Sequence, residues 1–445
     1  MSRLLSFLCL LSVPAFAAAQ DWQAGLAKTV ITPKESMWLS GYGGRTKPAE
    51  GKISDLHAKA CLLKSPAGKQ ALLISLDLVG IERGLSDRIL SRLKTKVGLN
   101  PDQVMLACSH THSGPVVGKN LRAMYFLDAK QQKLVDDYTV WLEDRIAAVA
   151  DAARRDLAPA RLSWAIGSCG FAVNRRNNKE KEIETIIKER KLQGPVDHDA
   201  PVLAIHGNDG KLRGVVLGYA CHATVLSGYE WCADYPGFAM TKLEDDHPGA
   251  VALFWAGCGG DQNPLPRRSV PLAKKYGAEL ADAVNKVLAK DMHPVKGDLN
   301  FARKNIPLAF DMLPSHEQLA KDAAAKDKYI ASRAKLWLDR LAKGEKMPET
   351  YSYPVQLWRL GDITWVSLGG EVTVDYSLRL KKELTPGKTW VTAYANDVMA
   401  YIPSRRVLKE GGYEGGGAMV YYGLPAIWGP EVEETIVRAV HEVAK

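Results

Sequence analysis

The chain has 445 residues, 46% of them apolar and 24% charged. That apolar fraction is too high for a disordered polymer and specifies a large folded body. The formal charge of +9 comes from basic residues scattered among acidic ones. No Lys/Arg block carries the interleaved aromatics of a nucleic-acid surface, so no nucleic-acid partner is expected, and at most peripheral contact with an anionic membrane.

The first element in chain order is a leader. Arg3, the apolar run Leu4 to Val13 and the small residues Ala15 to Ala19 have the composition of a secretory signal peptide. Cleavage is expected after Ala19, with Ala17 a near alternative, which predicts a secreted or periplasmic protein. The run is shorter than the roughly 20 apolar residues of a spanning helix. Cys9 lacks the preceding small-residue pattern of a lipoprotein, and no later stretch is apolar enough to cross a bilayer. Length alone would suggest two to three domains in what remains. No linker, repeat or compositional break divides it, so residues 20–445 are read as a single domain. Six cysteines follow the leader without any Cys-x-x-Cys pair. They read as small buried residues, with one disulfide allowed and its pairing open.

Strand and helix patterns then alternate. Ala71 to Asp77 is a buried strand, Ser86 caps a helix running to Val97 with Gly98 at its stop, and Val104 to Cys108 is the next strand, a βαβ unit. A long helix spans Ala129 to Arg155, with Leu134, Tyr138, Trp141, Leu142, Ile146 and Val149 at three- and four-residue spacing. The charged stretch Lys179 to Lys191 is a solvated helix or a mobile loop. Further strands are predicted at Ala160–Ile166, Val202–Ile205, Gly214–Ala220, Val251–Trp255, Leu299–Ala309, Tyr353–Leu360, Ile363–Leu368 and Trp390–Tyr394. Helices are predicted at Leu272–Ala289, His316–Ala342, Thr373–Glu383 and Pro430–Ala444. The fold class is therefore α/β to α+β, with large mixed sheets flanked by helices.

The polar residues that could do chemistry cluster just after the strands. Val104–Cys108 runs into Ser109-His110-Thr111-His112-Ser113-Gly114-Pro115. Gly214–Ala220 runs into Cys221-His222, Val251–Trp255 into Gly257 to Pro264 with Asp261 and Asn263, Ile363–Leu368 into Gly369-Gly370-Glu371, and Trp390–Tyr394 into Asn396, Asp397 and Tyr401. In sheets of parallel character, ligands bind beyond the carboxyl ends of the strands. Imidazole and carboxylate suit zinc. In an extended segment His110 and His112 would point to one side, so both could reach one centre, or one could ligate while the other acts on substrate. Taken alone, His222 reads equally well as a structural histidine, Glu371 as a helix cap, Asp261 as a turn residue and Tyr401 as packing. A Gly-x-Ser-x-Gly elbow, a His-Glu-x-x-His helix and a phosphate-binding Gly-x-x-x-x-Gly-Lys loop are all missing from the sequence. Gly411 to Gly417 reads as a flexible loop beside the site.

Ser109 to Pro115 resembles the His-Thr-His-Ser-Gly-Pro signature of the neutral/alkaline non-lysosomal ceramidases. Asn174-Arg175, Ala220-Cys221-His222, Asp234 to Phe238, Gly260-Asp261, Gly370 to Thr373, Asn396 to Tyr401 and Tyr413-Glu414-Gly415 resemble further family segments in the same order. The resemblance implies one zinc ion on His110, His222, Glu371 and Tyr401. It implies substrate or oxyanion contacts from His112 and Arg175, and a site floor shaped by Asp261. The implied activity is zinc-dependent hydrolysis of linear amides, with a small-molecule or lipid substrate and a place in sphingolipid metabolism. Two departures qualify it. Asn263 stands where the family has a serine, so an amide replaces a hydroxyl near the catalytic residues. The immunoglobulin-like C-terminal domain associated with full-length ceramidases is not expected in this chain. A zinc hydrolase of another amide or ester, and a non-catalytic exported binding protein, are the alternative readings.

Overall fold

The structure, a computed structural model, describes residues 22–445; the expected leader at residues 1–19 lies outside the described residues. Eight strands form the main path of a large mixed sheet: β1 (Gln23–Val30), β2 (His57–Lys64), β3 (Gln70–Leu76), β4 (Val104–Cys108), β5 (Ala158–Ser168), β6 (Asp199–Gly207), β7 (Leu212–Tyr219) and β8 (Val251–Ala256). Their order is β8-β7-β6-β5-β1-β2-β3-β4, and a two-residue strand at His293–Pro294 pairs with β5. The pairs β3/β4 and β7/β8 are parallel. A second sheet holds β9 (Leu299–Ala309), β10 (Thr350–Leu360), β11 (Ile363–Leu368) and β12 (Thr389–Thr392) in that order, its last pair parallel.

Period-two alternation sends each strand's side chains into two cores. In β3, Leu72, Ile74 and Leu76 face one core while Ala71 and Leu73 face the other. The first core lies under helices α1 (Arg83–Val97), α2 (Ala129–Arg155), α3 (Asp234–Asp246) and α4 (Val270–Leu288). The second is closed between the two sheets by Trp164, Trp255, Trp358, Trp365 and Trp390. There the Trp365 ring lies 5.2 Å from that of Trp390 and 5.6 Å from that of Trp255. After α5 (His316–Ala323) and α6 (Lys328–Ala342), helices α7 (Val374–Glu383) and α8 (Val432–Ala444) cover the outer face of the second sheet. The result is a helix–sheet–sheet–helix arrangement, as the fold class anticipated.

Several local expectations need correction. Helix α1 begins four residues early: Glu82, not Ser86, caps it, its carboxylate accepting from the Leu85 amide at 3.1 Å. Gly98 does end it, at φ 78°. The single helix expected at His316–Ala342 is two, because Asp327 caps a new start through the amides of Tyr329 and Ile330. Of the two readings of Lys179–Lys191, the helical one holds: a 3-10 turn at Glu180–Glu182 leads into a short helix, Ile183–Lys188. Helix α3 was not predicted; its Pro236 lies in the first turn, where a proline's missing N–H costs nothing. All six described cysteines are buried and free.

The large sheet curls until one edge reaches across to the other side. Lys59 on β2 donates to the Ala252 carbonyl of β8 (2.9 Å), and Ser75 on β3 donates to that of Phe254 (2.6 Å). The free edge of β4 is met by residues 394–396: the Asn396 amide donates to the Leu106 carbonyl (2.8 Å), and the Cys108 amide to that of Tyr394 (3.2 Å). This closure brings the loops after β4, β7, β8, β11 and β12 to one place.

Candidate metal centre and active site

His110 leaves β4 in a turn rather than an extended segment, with φ of 61°. Tyr394 (53°) and Asn396 (62°) are also left-handed. Asparagine tolerates that region; His and Tyr do so at a cost of about 1 kcal/mol or more, and such outliers concentrate at functional sites. The turn, and not strand alternation, therefore brings the two histidines together, their Nε2 atoms 3.0 Å apart. Loop-to-loop bonds fix the rest. The His112 amide donates to the Ala223 carbonyl (3.2 Å) and the His222 amide to that of Gln262 (3.0 Å). Glycine is required where segments cross: a Cβ on Gly260 would sit 2.7 Å from the Glu371 carbonyl oxygen.

The hydrogen bonds assign the tautomers. A carbonyl oxygen can only accept, so His110 Nδ1–H donates to Val79 (2.6 Å) and His222 Nδ1–H to Gly259 (2.6 Å). Neutral imidazoles so held turn a bare Nε2 lone pair inward. Both face one carboxylate oxygen: Glu371 Oε2 lies 3.1 Å from His110 Nε2 and 3.0 Å from His222 Nε2. The Tyr401 hydroxyl is 3.2 Å from His222 Nε2. His110, His222, Glu371 and Tyr401 are each at least 95% buried. The ligand-capable atoms of His110, His112 and His222 all lie within 4.8 Å of one another. Buried lone pairs converging at about 3 Å repel unless a cation lies among them. The donor set thus fits a divalent ion of the zinc type, though the ion's identity does not follow from these atoms.

Electrostatics act differently on the members of the set. Burial, then the Arg175 charge, pushes His222 down to about 4. Burial, with the other two histidines, holds His112 well below its ordinary value. Burial alone would raise Glu371, but in the metal-free protein His110 and His222, when protonated, outweigh it and hold the carboxyl well below its ordinary value. Burial raises the Tyr401 phenol well above its ordinary value against the pull of Arg175.

On the solvent side, His112 and Arg175 are half-buried. Arg175 Nη2 donates to the Tyr401 hydroxyl (3.0 Å) and Nη1 to Asn263 Oδ1 (3.2 Å). The rings of Tyr42 and Tyr413 flank the opening, Tyr42 4.7 Å from His112 and Tyr413 5.3 Å from Tyr401. Asp261 lies beneath. Its carboxylate accepts from Asn174 Nδ2 (3.1 Å) and the Val374 amide (2.8 Å), tying three segments together without touching either histidine pair. All eight residues singled out in the sequence therefore gather here, seven around the centre and Asp261 under it.

Two residues were missed. Glu414, in a π-turn at Tyr413–Gly417, clamps Arg175 Nε (2.7 Å) and Arg176 Nη1 (2.6 Å). The glycines read as a flexible loop serve close packing instead: a Cβ on Gly415 would meet the Val407 carbonyl at 2.6 Å. Tyr422 donates a short hydrogen bond to Glu371 Oε1, leaving Oε2 to the centre. A tyrosine there looks like packing in sequence, and only the resemblance around Tyr413-Glu414-Gly415 hinted at the clamp.

Known proteins resemble this chain in sequence and in fold. The chain is 28% identical over 268 residues to the neutral ceramidase of Pseudomonas aeruginosa, covering 57% of this chain and 38% of that one. It is 28% identical over 274 residues to that of Oryza sativa subsp. japonica, covering 60% and 32%. The matched part thus spans only about a third to two fifths of these relatives' length. In fold, it superposes on the crystal structure of the Pseudomonas aeruginosa neutral ceramidase with a TM-score of 0.74 at 20% identity, over 96% of this chain and 74% of that one. A ceramidase complexed with C2 gives 0.73 at 19% identity, over 96% and 75%. The family description "Neutral/alkaline non-lysosomal ceramidase, N-terminal" matches residues 22–264, more than half of the chain, and the protein belongs to that family.

Proposed function

We propose that the protein is an exported zinc-dependent hydrolase of linear amides, ceramide-like N-acyl lipids among them. The convergence of two imidazole lone pairs, a carboxylate oxygen and a phenol on one buried point carries this reading. His110, His222, Glu371 and Tyr401 would hold the ion. When bound, zinc supplies Lewis acidity and makes water a competent nucleophile near neutral pH. The remaining chemistry belongs to this chain's own side chains. Arg175, clamped by Glu414, keeps a fixed positive charge at the opening, where it stabilises the negative charge developing on the scissile carbonyl oxygen. His112, held neutral by burial, accepts a proton from the attacking water and returns it to the departing amine nitrogen. The carbonyl carbon gains the water oxygen, the C–N bond breaks, and a carboxylate and an amine leave. Export rests on the leader sequence; no helix among the described residues is long and apolar enough to cross a membrane.

Asn263 supports a second reading on the same scaffold, hydrolysis of a different amide or an ester. Its oxygen accepts from Arg175 Nη1, so acceptor and donor sit on two separate atoms of an amide, where a serine would offer both on one hydroxyl. The deciding experiment is hydrolysis of a fluorescent N-acylsphingosine by purified protein of measured zinc content, beside His222→Ala. Turnover lost in the variant supports the ceramidase-like reading. A zinc-replete protein without turnover on this substrate rules that reading out in favour of another amide or ester.

A further inference from the structure

A cavity of about 300 Å³ shares Tyr422 with the surroundings of the metal centre. That volume is at the small end of ligand sites. Phe310, Trp337, Met399, Leu424 and Pro425 give it an apolar wall, and Lys119, Arg122 and Arg340 line it with positive charge. Arg340 lies over the Trp337 ring at 4.2 Å and is paired with Glu345. Lys119 and Arg122 have no ion-pair partner among the described residues. Burial and the neighbouring Arg340 push the Arg122 guanidinium below its ordinary value, against the pull of Glu345 and Glu82. The one carboxylate in the wall, Glu82, caps α1 through Oε1, and its Oε2 has no hydrogen-bond partner. Asn120 is 4% exposed, and its Oδ1, an acceptor, has no hydrogen-bond partner. Tyr422 forms part of the same wall while its hydroxyl holds Glu371, so an occupant would touch a residue that orients the metal centre.

We propose that this cavity is a second ligand site, separate from the mouth at His112 and Arg175, for a single-chain amphipathic carboxylate. An apolar chain against Trp337 and Leu424 with an anionic head on Arg122 matches both halves of the wall. For its source of ligand the proposal rests on the amide-hydrolase reading, which releases a carboxylate.

The test is titration of the metal-loaded protein with decanoate below its micellar range, followed by calorimetry and tryptophan fluorescence. Saturable binding at one site is expected, unchanged in His112→Ala, about tenfold weaker in Arg122→Gln, and abolished in Leu424→Trp, which fills the cavity. No saturable binding, equal affinity in Arg122→Gln, or equally tight binding of decylamine would overturn it. Decanoate binding is measured without turnover: a protein that binds decanoate but cleaves no amide refutes only the hydrolase reading, and one that cleaves amides without binding decanoate refutes only this site.

Discussion

Replacing Glu414 by Gln tests the idea that one buried carboxylate holds the site's cationic side. Glu414 is 4% exposed and accepts from Arg175 Nε and Arg176 Nη1 at 2.7 and 2.6 Å. Burial would raise its pKa, but Arg175 and Arg176 outweigh that and keep it ionised. Hydrogen bonds to a charged group contribute about 1.5–3 kcal/mol and neutral ones about 0.5–1.5 kcal/mol. Losing the charge from two such bonds costs about 2–3 kcal/mol. The two arginine side chains keep 18% and 12% exposure, so solvent screening brings the figure towards about 2 kcal/mol. Urea unfolding followed by tryptophan fluorescence should show that loss. On an amide substrate that is turned over, kcat/KM should fall about tenfold to a hundredfold, because Arg175 is no longer fixed. A variant within about 0.5 kcal/mol of the parent, the range of an inert surface change, would refute the clamp.

Other perturbations separate the parts of the site. Gly41 has φ of 96°, and a Cβ there would sit 2.5 Å from the His112 ring; Gly41→Ala should abolish turnover while leaving the metal content, read by elemental analysis, unchanged. Tyr422→Phe frees Glu371 Oε1 and should weaken metal binding about tenfold to a hundredfold, measured by competition with a chelator. His222 sits near pKa 4 in the fold against 6.5 ordinarily, so its contribution is present above about pH 6.5 and lost as pH falls through 4. About 3 kcal/mol of metal-free stability should disappear across that window relative to His222→Gln, as unfolding curves at each pH would show. Zinc retention should fall over a similar acid range as protons compete for the histidines; retention unchanged at pH 4 would rule out histidine ligation.

Much of this was legible because strand ends are legible. The buried runs before His110, His222, Asp261 and Glu371 are strands, and the rule that loops after parallel strands carry function located the centre. What the pattern could not show is closure. The large sheet places β4 and β8 at opposite ends of its order, and side-chain bridges such as Lys59 to Ala252 together with the backbone of residues 393–396, which bonds to both Ala256 and Leu106, bring them near. Strand β2 was missed because His57 to Lys64 is buried on both faces and carries a buried lysine, which erases the alternation. Glu414 was hidden by glycines whose role is close approach, a property of the partner backbone and therefore invisible locally. The fit of His110 and His112 was anticipated for the wrong reason, since a left-handed turn does what an extended strand was expected to do.

The side-chain bridges to β8 and the backbone cover on β4 also bear on how the protein behaves when crowded. An open parallel or mixed sheet ends in rows of unpaired amides and carbonyls that can template pairing with another copy. Here the carbonyls of Ala252 and Phe254 are taken by Lys59 and Ser75, and the groups of Leu106 and Cys108 are taken by residues 394–396. The contacts that assemble the metal centre therefore double as guards against strand addition. Substitutions at Asn396 or Lys59 should consequently promote self-association before they unfold the chain.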